Sequence, residues 1–94
     1  AVFLPHILRF HHGAADDKYA RLRSVMGLKE GADIADAIQT LNNDIGIPKN
    51  LTAMGLGAED GQGIVDYALK DLGHFGNPKE MTADDYANVY ETAL

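Results

Sequence analysis

Apolar residues recur along this chain at helical spacing, in blocks set apart by glycine and proline. Val2, Phe3, Leu4, Ile7, Leu8 and Phe10 crowd the first ten positions. In "AADDKYARLRSVM", residues 14–26, Ala15, Tyr19, Leu22 and Met26 fall at 4-3-4 spacing on one face, joined by Val25. In "ADIADAIQTLNNDI", residues 32–45, Ile34, Ile38, Leu41 and Ile45 repeat the pattern. Residues 58–72, "AEDGQGIVDYALKDL", put Ile64, Ala68 and Leu72 on one side, with Val65 and Leu69 beside them. Residues 82–94, "TADDYANVYETAL", carry Tyr86 and Tyr90 four apart, as neighbours on a helix face. No segment alternates apolar and polar over strand length. The pattern predicts an all-α fold of about five helices plus one short helical turn, joined by Gly/Pro loops.

Punctuation sharpens these boundaries. Asp16 and Asp17 sit where a first turn favours anions, and Gly27 follows as a stop. Gly46 ends the next helix, and Pro48 keeps it from resuming. In "GIPKNLTAMGL", residues 46–56, Leu51 and Met54 fit a single turn closed by Gly55 and Gly57, a joint between two packed helical layers. Gly61 and Gly63 weaken the helix they open by up to about 1 kcal/mol each relative to alanine. Gly73 reads as the stop of that helix, and "HFGNPKEM" as a loop. Thr82 is a good N-cap, with Asp84 and Asp85 in the first turn behind it. Pro5 is tolerable in a first turn, yet nothing before it caps the apolar first helix, which predicts that the chain was cut from something longer.

The length of 94 residues suits one domain, residues 1–94, with a small core. The net charge is −6, unevenly spread. Residues 1–29 hold five basic and two acidic side chains, and residues 30–94 three basic and twelve acidic. So acidic a balance argues against a nucleic-acid partner. Arg9, Lys18, Arg21, Arg23 and Lys29 read as a solvated face, or one that meets the acidic part of the same domain. No apolar run approaches the ~20 residues of a membrane span. There is no cysteine, which excludes disulfides and thiolate metal sites.

Little in the residues points to catalysis. His11 and His12 are adjacent and diverge on a helix, and His6 lies five residues from His11, so the three do not share a face. His6 reads as a buried or interface histidine with one hydrogen-bond partner. His74, in "GHFGNP", is either a cap for the last carbonyls of its helix or a pocket residue on a loop. The pairs Asp16-Asp17, Glu59-Asp60 and Asp84-Asp85 each fall in a first helical turn, where the dipole explains them without acid–base work. No nucleophile triad, phosphate-cradling loop or zinc spacing is present. By these residues alone the chain is a helical domain without a catalytic centre, metal ligands or cofactor site of its own.

The order of the segments resembles the C-terminal helical domain of the iron-containing (group III) alcohol dehydrogenases, part of the dehydroquinate synthase-like fold. The stretches that carry the likeness are "FLPHILRF", "KYARLRSVMGL", "AIQTLNNDIGIPKNLTAMGL" and "DYALKDLGHFGNPKEMTADDYANVYETAL", in family order over nearly the whole chain. The resemblance implies a two-domain cytoplasmic enzyme that oxidises alcohols or reduces aldehydes. Its N-terminal domain binds NAD(P), and its helical domain holds a divalent metal, iron or zinc, through one Asp and three His upstream of "LPH". His12-Gly13 lies after "LPH" and is not carried over as a ligand. The family often places a pocket-lining Cys before "NP"; here Gly73 stands in its place, so Gly73, His74 and Phe75 are the candidate substrate-pocket residues. The implied partners are the cofactor domain and the metal-bearing helices, with homo-oligomerisation compatible. A glycerol or maleylacetate-type reductase shares these expectations. A reading of another class is a stand-alone acidic helical module that binds a partner through residues 1–10 and has no activity.

Overall fold

The computed structural model describes residues 1–94 and contains helix and turn only. Five α-helices follow one another: α1 (Leu4–Phe10), α2 (Asp16–Val25), α3 (Ile34–Asp44), α4 (Gly61–Lys70) and α5 (Ala83–Ala93). Three 3-10 turns accompany them, Thr52–Met54, Ala58–Asp60 and Leu72–Gly76, where the sequence predicts one. The second turn runs directly into α4.

Helix ends follow local chemistry. Gly27, Gly46 and Gly55 adopt φ of +71°, +80° and +87°, the left-handed backbone that ends a helix and that side chains resist. Thr82 accepts the Asp85 N–H at 3.2 Å, while Asp85 accepts the Thr82 N–H at 2.8 Å, a reciprocal cap. Asp33 caps α3 by accepting the Ala35 N–H at 2.8 Å. Gly73 is not the stop of α4. That helix ends at Lys70, where Asp71 turns extended at ψ 139°. The Asp71 carboxylate then accepts the Gly73 N–H at 2.7 Å and starts the turn at 72–76, so part of the expected loop is helical. A side-chain cap two residues earlier overrides the glycine signal.

α1 packs between α3 and α5, α4 packs on the far side of α5, and α2 rests on α3, giving the row α2–α3–α1–α5–α4. The molecule measures 39 × 30 × 18 Å. The joint at residues 46–56 lies against the core. Leu51 is 1% exposed and clusters with Val2, Tyr90 and Ala93. Its N–H donates to Ala93 O at 2.8 Å, and Thr52 Oγ1 donates to Leu94 O at 2.8 Å. At the other end of the chain, Asn42 Nδ2 donates to Ala1 O at 3.0 Å.

A shape this open leaves apolar surface uncovered. The accessible surface is 6367 Å², against about 5,300 Å² for a compact monomer of this mass. The radius of gyration is 14.0 Å, where about 12.4 Å is typical. The apolar faces predicted for α2 and α3 exist, but this chain does not bury them. No residue of α2 is buried, Val25 is 85% exposed, and on the α3 face Leu41 and Ile45 lie open while Ile34 is buried. The spacing identifies an apolar stripe correctly; what covers the stripe depends on neighbours that periodicity does not specify.

Candidate functional site

At the far end of the row, α4 and α5 diverge around the 72–76 turn. A cleft of about 420 Å³ opens there, with Ile64 and Ala68 of α4 on one wall and Tyr86 of α5 on the other. Gly73 and His74 line it, with Asp71 and Asn77 at the edges. Phe75 does not: it is 79% exposed, its ring edge-on to His74 with centroids 5.2 Å apart. Gly73 offers only backbone, and a Cβ there would stand 3.0 Å from Asp71 Oδ1.

His74 does not cap α4. Its Nδ1 lies 2.7 Å from Tyr86 Oη, and the two rings tilt together at 5.6 Å. Asn77 Nδ2 donates to His74 O and to Tyr86 Oη, each at 3.1 Å. Tyr86 is thus met by His74 of the turn and by Asn77 just after it, and the turn is fixed to α5 by side chains as well as by the chain path. The 72–76 turn holds His74 because its own N–H donates to Asp71 O at 3.0 Å. Sequence reading found His74 but missed Tyr86 and Asn77 as its partners. The only signal for Tyr86 was its i, i+4 relation to Tyr90, and that pair divides: Tyr90 turns into the core and donates to Gly57 O at 2.6 Å.

The other histidines lie elsewhere. His6 faces α5, and its buried Nδ1 has no partner, contrary to the single bond expected of it. Burial, aided by the nearby Arg9 charge, pushes its pKa down. His11, at the end of α1, is 3% exposed, and neither ring nitrogen meets a protein partner; its ring stacks edge-on against Phe10. His12 lines a separate cleft with Tyr19, whose hydroxyl donates to Leu8 O at 3.0 Å. Arg9 and Asp36 form an exposed ion pair at 2.9 Å, worth at most about 1 kcal/mol. No three His, Cys, Asp or Glu side chains come together closely enough to hold a metal ion. The donor set in these residues therefore does not fit the metal that the fold family implies.

The C-terminal model of the Fe-containing alcohol dehydrogenase family matches residues 1–94. The chain belongs to the iron-containing alcohol dehydrogenase family. Its fold is the all-helical C-terminal domain of that family. Among its relatives, a 4-hydroxybutyrate dehydrogenase of Cupriavidus necator is 40% identical over the whole chain. A lactaldehyde reductase of Escherichia coli K12 is 36% identical over 99% of it. A 1,3-propanediol dehydrogenase of Citrobacter freundii is 33% identical over all of it. In each case the match covers 26% of the relative, so the chain spans about a quarter of the length of these curated relatives. As an iron-containing alcohol dehydrogenase segment, it supplies helices and the 72–76 turn. No helix in it is long and apolar enough to cross a membrane.

Proposed function

We propose that these helices form the wall of the substrate pocket in a metal-dependent alcohol dehydrogenase that works with NAD(P) in the cytoplasm. The family match over all 94 residues carries this reading. In this reading the metal ligands and the nicotinamide fold are supplied by further polypeptide, a reading supported by the chain's span of about a quarter of its curated relatives. That polypeptide is the partner that covers α2 and α3, whose apolar faces and roughly 1,100 Å² of surplus surface match an ordinary protein interface. The chain's own contribution is rigidity and shape. The 72–76 turn, braced on α5 through Tyr86, holds Gly73 and His74 at the cleft. A bracing wall influences rate because displacement of reacting groups by about an ångström costs orders of magnitude.

The test compares the 94-residue chain with a longer polypeptide that carries it. Alcohol-dependent NAD(P)H formation and bound metal are expected in the longer form and absent from the short one. Leu51→Asp in the longer form should unfold the wall and abolish turnover. Dehydrogenation by the short chain alone, or full turnover in the Leu51→Asp variant, would overturn the reading.

A further inference from the structure

We infer that Lys79 is a positioning residue for the pocket wall, and that through the stiff segment Asn77-Pro78-Lys79 it sets the 72–76 turn against α1. The inference rests on the pocket-wall reading above and adds the residue that fixes the wall on its second side.

The end of α1 supplies the anchor. The last four carbonyls of a helix have no partner within it, and in α1 these belong to Ile7, Leu8, Arg9 and Phe10. Ile7 O and Arg9 O accept the backbone N–H groups of His11 and His12 at 3.1 and 3.2 Å. Side chains from elsewhere in the fold serve the other two. Leu8 O accepts from the Tyr19 hydroxyl at 3.0 Å, and Phe10 O accepts from Lys79 Nζ at 3.3 Å. The same ammonium stands 4.3 Å from the centroid of the Phe10 ring. A free carbonyl, the negative end of a helix and an aromatic face each attract a cation, and Lys79 meets all three at one residue. Lys79 is exposed, so each attraction alone is modest, but the three act on one ammonium and share a single ordering cost.

The other end of the segment is held as well. Asn77 Nδ2 donates to His74 O and to Tyr86 Oη, each at 3.1 Å. Pro78 separates the two anchored residues. Its ring fixes its own φ and keeps the preceding residue extended, and Asn77 stands at φ −63° and ψ 137°. Little freedom is left between the two anchors. The turn that carries Gly73 and His74 is therefore tied to α5 through Tyr86 and to α1 through Lys79. No other side chain of residues 72–82 hydrogen-bonds to α1. Without Lys79 the turn would follow α5 alone. Turnover is sensitive to displacements of about an ångström, so Lys79 influences rate without touching substrate.

The experiment uses the longer polypeptide that carries this segment, with 1-propanol and 1,3-propanediol as alcohols. The readout is kcat/KM, taken at a temperature where circular dichroism shows the variant folded. Lys79→Met keeps the apolar stem and drops the charge, and it should lower kcat/KM about tenfold. Lys79→Arg restores a cation and should recover most of the loss. Pro78→Ala leaves both anchors in place but loosens the link, and it should lower kcat/KM about threefold. Tyr19→Phe removes the other side-chain partner of the α1 end. It should lower the unfolding midpoint and leave kcat/KM unchanged. A Lys79 that served stability alone would behave in the same way. An unchanged kcat/KM in Lys79→Met or in Pro78→Ala overturns the inference and leaves the dehydrogenase reading intact. So does failure of Lys79→Arg to recover the loss, or an equal loss in Tyr19→Phe. Should Lys79→Met fail to fold, Pro78→Ala decides the matter. If the longer polypeptide oxidises no alcohol, the dehydrogenase reading fails and this one falls with it.

Discussion

Gly61 and Gly63 stand two residues apart in α4 and should respond to alanine with opposite sign. Gly63 is exposed and helical, and a Cβ built on it meets nothing within 4 Å. Gly63→Ala removes backbone freedom from the unfolded chain without any clash, so it should stabilise by up to about 1 kcal/mol. At Gly61 a Cβ would lie 3.0 and 3.1 Å from two ring carbons of Tyr90, inside the ~3.5–4.0 Å of an optimal carbon contact. Tyr90 has no room to retreat. It is 3% exposed, its hydroxyl is held by Gly57 O at 2.6 Å, and the Phe3 ring lies beside it at 6.3 Å. Overpacking of this kind costs about 1–3 kcal/mol, more than the propensity gain offsets. The two variants should therefore differ by about 1–3 kcal/mol. Urea unfolding of the 94-residue chain, followed by circular dichroism with the slope unchanged, reads this as midpoints roughly 1–2 M apart. A Gly61→Ala midpoint raised as far as that of Gly63→Ala would refute the claim that α4 and α5 meet through this glycine.

Leu51→Ala should cost about 2–5 kcal/mol in the same titration, because Leu51 is fully buried against Tyr90 and Ala93; a loss below about 1 kcal/mol would show that the cluster relaxes around the cavity. Thr82→Ala should cost about 1 kcal/mol as a lost cap. The Thr82 N–H and hydroxyl hold the Asp85 carboxyl below the ordinary range, so the native chain loses that stability as pH falls through and below the usual carboxylate values; an acid titration of unfolding should show less of this loss in Thr82→Ala. His6 is held low by burial and Arg9, so its protonation favours the unfolded chain. Stability should decline as pH drops below about 6.5, and His6→Gln should flatten that decline.

Much of the fold is legible from local rules. Thr82, Gly27 and Gly46 act at helix ends by interactions that span three or four residues, and a linear reading captures them. Gly61 was legible only as a weak point in a helix, because its purpose is the ring of Tyr90, 29 positions away. Gly73 misled because a turn signal was weighed without Asp71, whose cap ended α4 first. For α2 and α3 the apolar stripe was visible, while its exposure depends on how many neighbours the row of helices supplies. At the candidate site, the segment around His74 was visible through family likeness. The contacts of Tyr86 with His74 and Asn77 depend on distances across a turn, and no spacing rule encodes those.

The bonds from Leu51 to Ala93, Thr52 to Leu94 and Asn42 to Ala1 each join residues 41 or 42 positions apart. Closing a loop that long costs roughly 3 kcal/mol of chain entropy before any contact repays it. Individual helices need no such closure and can form within microseconds. These three closures should therefore form late, after the rate-limiting barrier. Stopped-flow measurements of Leu51→Ala should find faster unfolding with little change in the refolding rate.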